Sequence, residues 1–205
     1  MAKGRQKMSQ NIEIEFKNML TKAEYERILL SFNIGEKHIF TQENLYFDTP
    51  DFAFKKAESA LRIRKKGTDY VMTLKQPREI GLLETNQKLT YEETSEAIND
   101  GRLPSGQIKQ LIEENNIPFA NIEYFGSLMT NRAEISYENG LLVLDHSIYL
   151  EHEDYEMEYE VDDYQEGLKN FHALLNRFKI PGRQTENKVR RFYNQKYKQT
   201  KTNYQ

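Results

Sequence analysis

The sequence predicts an α+β fold dominated by an antiparallel sheet of about eight strands in two runs of four. Three observations carry this. Several short stretches alternate apolar and charged residues with period two, as a strand exposed on one face requires. Most of these stretches are joined by short turns, which antiparallel strands allow and parallel strands do not. Between the two runs the pattern turns helical and polar over about residues 92–116. An antiparallel sheet of that size usually curls or closes on itself.

The first strand is expected over residues 11–18, NIEIEFKN, with Ile12, Ile14 and Phe16 on one face and Glu13, Glu15 and Lys17 on the other. Thr21 then opens a helix, because Glu24 three residues on completes a capping box, and Tyr25, Ile28, Leu29 and Phe32 form its apolar stripe. A strand follows over about 37–47, then a turn at Thr49 and Pro50 and a short helical turn over 51–56. Residues 59–66, SALRIRKK, place Leu61 and Ile63 opposite Arg62, Arg64 and Lys66. Gly67 to Asp69 make a tight turn into the strand 70–76, which adds Lys75, and a further strand at about 81–90 adds Glu84.

The second run begins near Asn121 with a long strand or strand pair, bent at Gly126, that carries Arg132 and Glu134 on one face. A hairpin turn of the Asn-Gly kind at Glu138, Asn139 and Gly140 leads to 141–148, where Asp145 and His146 fall on opposite faces. The segment 155–161, YEMEYEV, repeats the opening alternation with Glu156, Glu158 and Glu160. An amphipathic helix over 164–178 and a basic helix or coil over 187–197 complete the chain. We expect a flexible tail at residues 1–10, a single domain over 11–197 and a second tail at 198–205.

Composition excludes several functions. None of the 205 residues is cysteine, so disulfides, thiol nucleophiles and cysteine metal sites are ruled out. The formal net charge is -3, too small to argue for nucleic acid. No apolar run approaches the roughly 20 residues of a membrane-spanning helix. These features, with the lack of a signal-peptide pattern, suit a cytoplasmic protein. The four histidines do not cluster in sequence.

The charged faces pose a sharper question. Pointing outward, they are an ordinary solvated surface. Pointing into a closed barrel, they line a lumen with both signs, which is costly without ligands. A polyanion would satisfy the cations, a divalent cation the carboxylates, and a magnesium-chelated polyphosphate both.

The motifs then resemble a known family. Glu13, Glu15 and Lys17 form an ExExK signature. It is followed by YFDT at 46–49, LRIR at 61–64, TLK at 73–75, RAE at 132–134, Leu144-Asp145 and YEMEYEV at 155–161. The set is similar to the CYTH family of triphosphate tunnel metalloenzymes, and more narrowly to the small CYTH proteins of Bacillus-type bacteria. The resemblance implies an eight-stranded antiparallel tunnel with flanking helices and a triphosphatase dependent on Mg2+ or Mn2+. It implies metal ligands at Glu13, Glu15, Glu158 and Glu160, assisted by Asp145. It implies substrate contacts from Lys17, Arg62, Arg64, Lys75, Arg132 and Lys188, the last closing over the terminal phosphate with Arg190 and Arg191 nearby. Glu84, Glu134 and Glu156 are expected to act in catalysis by orienting cations or water. The expected partner is a small-molecule triphosphate, with no nucleic acid or membrane, and the chain is expected as monomer or homodimer. A polyphosphate-binding module without turnover and a class IV type adenylate cyclase are the alternatives. The large glutamate set favours turnover over mere anion binding, and no stretch reads as a dedicated adenine pocket.

Overall fold

A computed structural model describes residues 8–202, with side chains described over 9–198. Eight strands close into an antiparallel barrel in the order β1-β5-β4-β3-β2-β6-β7-β8. In chain order the elements are β1 (Met8–Leu20), α1 (Lys22–Ser31), β2 (Ile39–Asp48), α2 (Ala53–Lys56), β3 (Ala60–Lys66), β4 (Asp69–Pro77) and β5 (Leu82–Leu89). The chain continues with α3 (Tyr91–Asp100), α4 (Gln107–Glu114), β6 (Glu123–Tyr137), β7 (Gly140–Tyr149), β8 (His152–Val161), α5 (Tyr164–Arg177) and α6 (Lys188–Thr202). The described residues divide into two compact units, one formed by residues up to 12 with 43–127 and the other by 13–42 with 128 onward.

In the first unit, the apolar parity of β2, β3 and β4 supplies Leu45, Phe47, Leu61, Ile63, Met72 and Leu74. These pack with Phe54 of α2, Ala97 of α3, and Ile108 and Ile112 of α4. Helix α3 starts where Thr90 and Glu93 form a capping box, a signal missed by the expected start at residue 92. The anticipated β3–β4 hairpin is present and turns at Gly67, whose φ of 59° suits glycine; Asp69, expected in the turn, instead opens β4 and pairs with Lys66.

In the second unit, Ala133, Leu142, Leu144, Met157 and Tyr159 pack against Tyr25 and Ile28 of α1 and Phe171, Leu174 and Leu175 of α5. The expected Thr21–Glu24 capping box is present, with both backbone–side-chain hydrogen bonds made. Gly167 lets α5 lie close to the sheet. A Cβ there would meet Val161 Cγ2 at 2.5 Å.

Several expectations need correction. Residues 8–10 belong to β1, and residues 198–202 continue α6, so neither stretch is a tail; residues 1–7 and 203–205 lie outside the described residues. Ile12 lies on the apolar face of β1 expected to pack the barrel against its outer helices, but it is 61% exposed, whereas Phe16 and Leu20 further along β1 do join the core. The β6–β7 turn is not of the Asn-Gly kind. Tyr137 pairs with Gly140, and Glu138 takes the positive φ, 48°. Gly140 is required for another reason, since a Cβ on it would meet the Tyr159 ring at 2.8 Å. Residues 36–38 form a 3-10 turn before β2 rather than its first residues. The long segment after Asn121 is one continuous strand, and Gly126 within it has φ 146°.

Candidate active site

The strand faces opposite the two apolar cores carry the charged residues, and their cross-strand registers decide which side chains meet. In the first unit, β4 and β5 place Lys75 directly opposite Glu84, with Nζ to Oε1 at 2.6 Å. Arg62 Nη2 stands 3.6 Å from the same carboxylate, and Arg64 Nε donates to Asn44 Oδ1 at 2.9 Å. Burial pushes the Glu84 carboxyl up, but Lys75 and Arg62 outweigh it and hold the group down at about 2. Arg62 and Lys75 thus share one carboxylate, with Arg64 close enough to add to the same field. Arg62 Nε is buried with no hydrogen-bond partner, an unusual state for a strong donor. Thr73 and Asn86 bond each other at 2.7 Å on the same polar face.

In the second unit, β6, β7 and β8 align Arg132, Asp145 and Glu156 in one register, while β1 pairs Lys17 with Glu158 and Glu15 with Glu160. Arg132 donates to Asp145 through Nε at 2.8 Å and Nη2 at 2.6 Å, a forked contact, and Nη2 also reaches Glu158 at 2.9 Å. Lys17 Nζ lies 2.8 Å from Glu15 and 3.1 Å from Glu158. From α6, Lys188 Nζ reaches Asp145 at 2.7 Å, Glu156 at 2.8 Å and Glu158 at 2.7 Å. Arg191 bonds both Asp154 and Glu156. Tyr149 donates its hydroxyl to Asp154 at 2.6 Å, fixing the carboxylate that receives Arg191.

Titration follows from these contacts. Burial raises the Glu158 carboxyl, yet Lys17, Lys188 and Arg132 around it bring it well below the usual range. Burial drives Glu156 the other way, upward, and the neighbouring Glu158 charge adds to this against Lys188 and Arg191. Glu160 is pushed up to about 7, first by burial and then by the charge of Glu13, with Arg132 only partly offsetting. At this end of the cluster Glu160 feels the negative charge of Glu13 more than the positive charge of Arg132, a local shortage of counter-charge.

That shortage tests whether a divalent metal fits. Hard carboxylate oxygens crowded until one resists ionisation are the donors that Mg2+ or Mn2+ prefers. Among the described residues no three such side chains are already converged on a metal position. The donor chemistry fits, and binding would require the carboxylates to converge.

The sequence-derived residues are distributed as follows. Arg62, Lys75 and Glu84 meet in the first unit; Arg64 binds Asn44 beside them. Lys17, Glu15, Arg132, Asp145, Glu156, Glu158 and Lys188 meet in the second. Glu134 shares the face of Arg132 but is exposed, opposite Val143, and lies apart from these ion pairs. Asp145 is fully buried and its oxygens accept from Arg132 and Lys188. Arg190 pairs with Glu186 and is 61% exposed, so only Arg191 of that pair enters the cluster. His146 turns away from Asp145 as expected, stacking on Tyr155 and bonding Glu153.

Asp154 and Tyr149 were missed. Asp154 shares the parity of Glu156, Glu158 and Glu160, so starting β8 at His152 instead of Tyr155 would have revealed it.

Comparison with known proteins agrees with this architecture. A family model described as the CYTH domain matches residues 11–193. Over 191 residues, 93% of this chain and 99% of the relative, the chain is 51% identical to "Putative triphosphatase YjbK" of Bacillus subtilis (strain 168). Among solved structures, a protein described as a putative adenylate cyclase from Bacillus halodurans superposes with a TM-score of 0.87 at 43% identity, covering 90% of this chain and 98% of that one. The Hippeastrum protein HpAC1, described as a putative adenylyl cyclase with a dominant triphosphatase activity, shares the fold. Its TM-score is 0.75 at 21% identity, covering 89% of this chain and 96% of that one. A closed eight-stranded barrel, the ordered series of charged strand motifs and a family match over nearly the whole chain converge on one assignment: the chain belongs to the CYTH domain family.

Proposed function

We propose that the protein is a divalent-metal-dependent triphosphatase that hydrolyses the terminal phosphate of inorganic triphosphate or a small organic triphosphate. The observation that carries this reading is the split charge of the polar strand faces. The cations in excess around Glu84 suit a phosphate chain, and the carboxylates in excess around Glu160 suit a divalent cation. The 51% identical relative named as a triphosphatase supports the same conclusion.

In this reading Arg62, Arg64 and Lys75 bind phosphate oxygens, and the unpartnered Arg62 Nε gains an acceptor. Glu84 holds Arg62 and Lys75 in place. Lys17, Arg132 and Lys188 exchange carboxylate partners for phosphate oxygens as substrate enters, with Asp145 keeping Arg132 aimed through its forked contact. Glu13, Glu15, Glu158 and Glu160 would hold the metal, which when bound neutralises phosphate charge and acidifies water. Glu156, held high by burial, is the cluster's candidate proton carrier. The bond formed is from water oxygen to the terminal phosphorus, and the bond broken joins that phosphorus to its bridging oxygen. Positioned cations stabilise the charge on both oxygens. A cytoplasmic monomer or homodimer is part of this proposal. Among the described residues no helix is long and apolar enough to cross a membrane.

The test is phosphate release from inorganic triphosphate, ATP and thiamine triphosphate with Mg2+ or Mn2+, alongside an assay for cyclic AMP from ATP. We expect release of phosphate, abolished by chelator and restored by added metal. Tight triphosphate binding with no turnover would establish a binding module instead. Cyclic AMP as the main product would establish the cyclase reading suggested by the name of the Bacillus halodurans relative.

A further inference from the structure

Lys188 and Arg191 reach the carboxylates from α6, yet the chain leading to α6 from α5 has no regular structure over residues 180–187. That segment is nevertheless fastened. Asn18, 1% exposed at the end of β1, donates through Nδ2 to Pro181 O at 3.2 Å and accepts from Arg183 N at 2.6 Å. The backbone N–H of Met19 donates to the Thr185 hydroxyl at 3.0 Å. The Arg183 guanidinium completes the set. Its Nη1 donates to Met19 O and to Glu24 Oε2, each at 2.8 Å, and its Nη2 donates to Glu24 Oε1 at 2.9 Å. Glu24 also accepts from Thr21 N at 2.7 Å as half of the α1 capping box, so the anchor sits on a helix start and not on a loop.

We propose that Arg183, gripped bidentately by Glu24, is a positioning residue that sets Lys188 in the active site. The proposal deepens the triphosphatase reading, because it rests on Lys188 contacting the substrate. Lys188 lies five residues beyond Arg183 and three beyond Thr185. A flexible ammonium on an unfastened segment would lose its freedom each time substrate bound, and a strap ordered beforehand removes that loss. Residues 18 and 19 stand next to Lys17, which shares Glu158 with Lys188, so the strap references the α6 lysine to the strand that carries the other ammonium. The guanidinium's planar fork matches the Glu24 carboxylate and the Met19 carbonyl together, a geometry that lysine's point charge cannot reproduce.

Two measurements on the full chain test this. The first is hydrogen exchange of the amides over 188–193 in the ligand-free protein. We expect Arg183→Ala to speed that exchange about tenfold or more, because local opening of α6 becomes easier. The second is a double-mutant cycle on hydrolysis of inorganic triphosphate. Arg183→Ala should lower kcat/KM about tenfold, and Arg183→Ala with Lys188→Ala should be no slower than Lys188→Ala alone, since residues that act through one another are non-additive. Arg183→Lys should restore only part of the loss. Arg27→Ala, which removes a bond to Phe178 O at 2.8 Å at the end of α5, serves as the control and should leave both readouts unchanged. Unchanged exchange in Arg183→Ala, or losses that add with Lys188→Ala, would overturn the proposal. If the unmodified protein turns over no triphosphate, the hydrolase reading falls, while the exchange result still judges the strap. Should Arg183→Ala fail to fold, Glu24→Gln and Thr185→Val carry the same two measurements.

Discussion

The two charged clusters are built on the same kind of strand face and solve opposite problems. Around β3, β4 and β5, Arg62, Arg64 and Lys75 gather near one carboxylate, Glu84, and the group is ionised down to about 2. Around β1, β6, β7 and β8, four cations stand among seven acids, and Glu160 is driven up to about 7, first by burial and then by the charge of Glu13. The first cluster is short of an anion and the second of a cation. The second has an internal remedy that the first lacks: α6 brings in Lys188 and Arg191, each bonded to more than one acid. The acid cluster can therefore persist without ligand, but only by committing Lys17, Arg132 and Lys188, the groups proposed to bind substrate.

The comparison breaks most visibly at Glu158. It holds Lys17, Arg132 and Lys188 at once, so Glu158→Gln should remove activity by about a hundredfold or more and also destabilise the protein by about 3 kcal/mol, the usual order for a buried charge left unpaired. Thermal unfolding and phosphate release on one preparation check both. Glu13→Gln, which removes the charge that pushes Glu160 up, should lose comparable activity; phosphate release reads this, and normal turnover would remove Glu13 from the metal set.

On the other side, Arg62→Ala should weaken triphosphate binding about tenfold to a hundredfold, the range for a charge-assisted hydrogen bond. Calorimetric titration reads this directly, and unchanged affinity would put the cation cluster outside the substrate path.

Glu24 gives a pH signature with a definite sign. Its carboxyl is lowered to about 2, chiefly by the hydrogen bond from Arg183. A depressed carboxylate contributes stability above its ordinary pKa of about 4.5 and loses that contribution as pH falls toward about 2. Wild type should therefore exceed Glu24→Gln by about 2 kcal/mol at neutral pH, discounted because Arg183 is about a third exposed. The gap should close between pH 4.5 and 2 in acid titrations of stability. The smallest effect is expected at Glu134, whose exposure predicts that Glu134→Gln changes turnover by less than about threefold. A larger loss would show that this carboxylate joins the site once substrate is present.

Much of this was legible from residue order. Alternation in IEIEFK, LRIR and YEMEYEV assigns each side chain to a face before any fold is known, because a strand's period is two whatever it pairs with. The capping pair Thr21 and Glu24 was equally local. The failures were of another kind. Ile12 shares the apolar parity of β1, but it is exposed, since parity assigns a face and not a cover for it. Glu134 shares the parity of Arg132, yet only two residues along the same face it already stands in the open. Gly140 looked like a turn residue and is needed under the ring of Tyr159, a contact made by β8.

What the sequence by itself determined is therefore the list of charges, their faces and the family motif they spell. Tertiary structure decided which charges meet. Lys17 finds Glu158 across 141 residues, and Arg183 finds Glu24 across 159. Neither pairing has a local signal. Each exists because antiparallel register and a fastened C-terminal segment bring the partners within about 3 Å, the distance at which a buried charge recovers what it lost on leaving water.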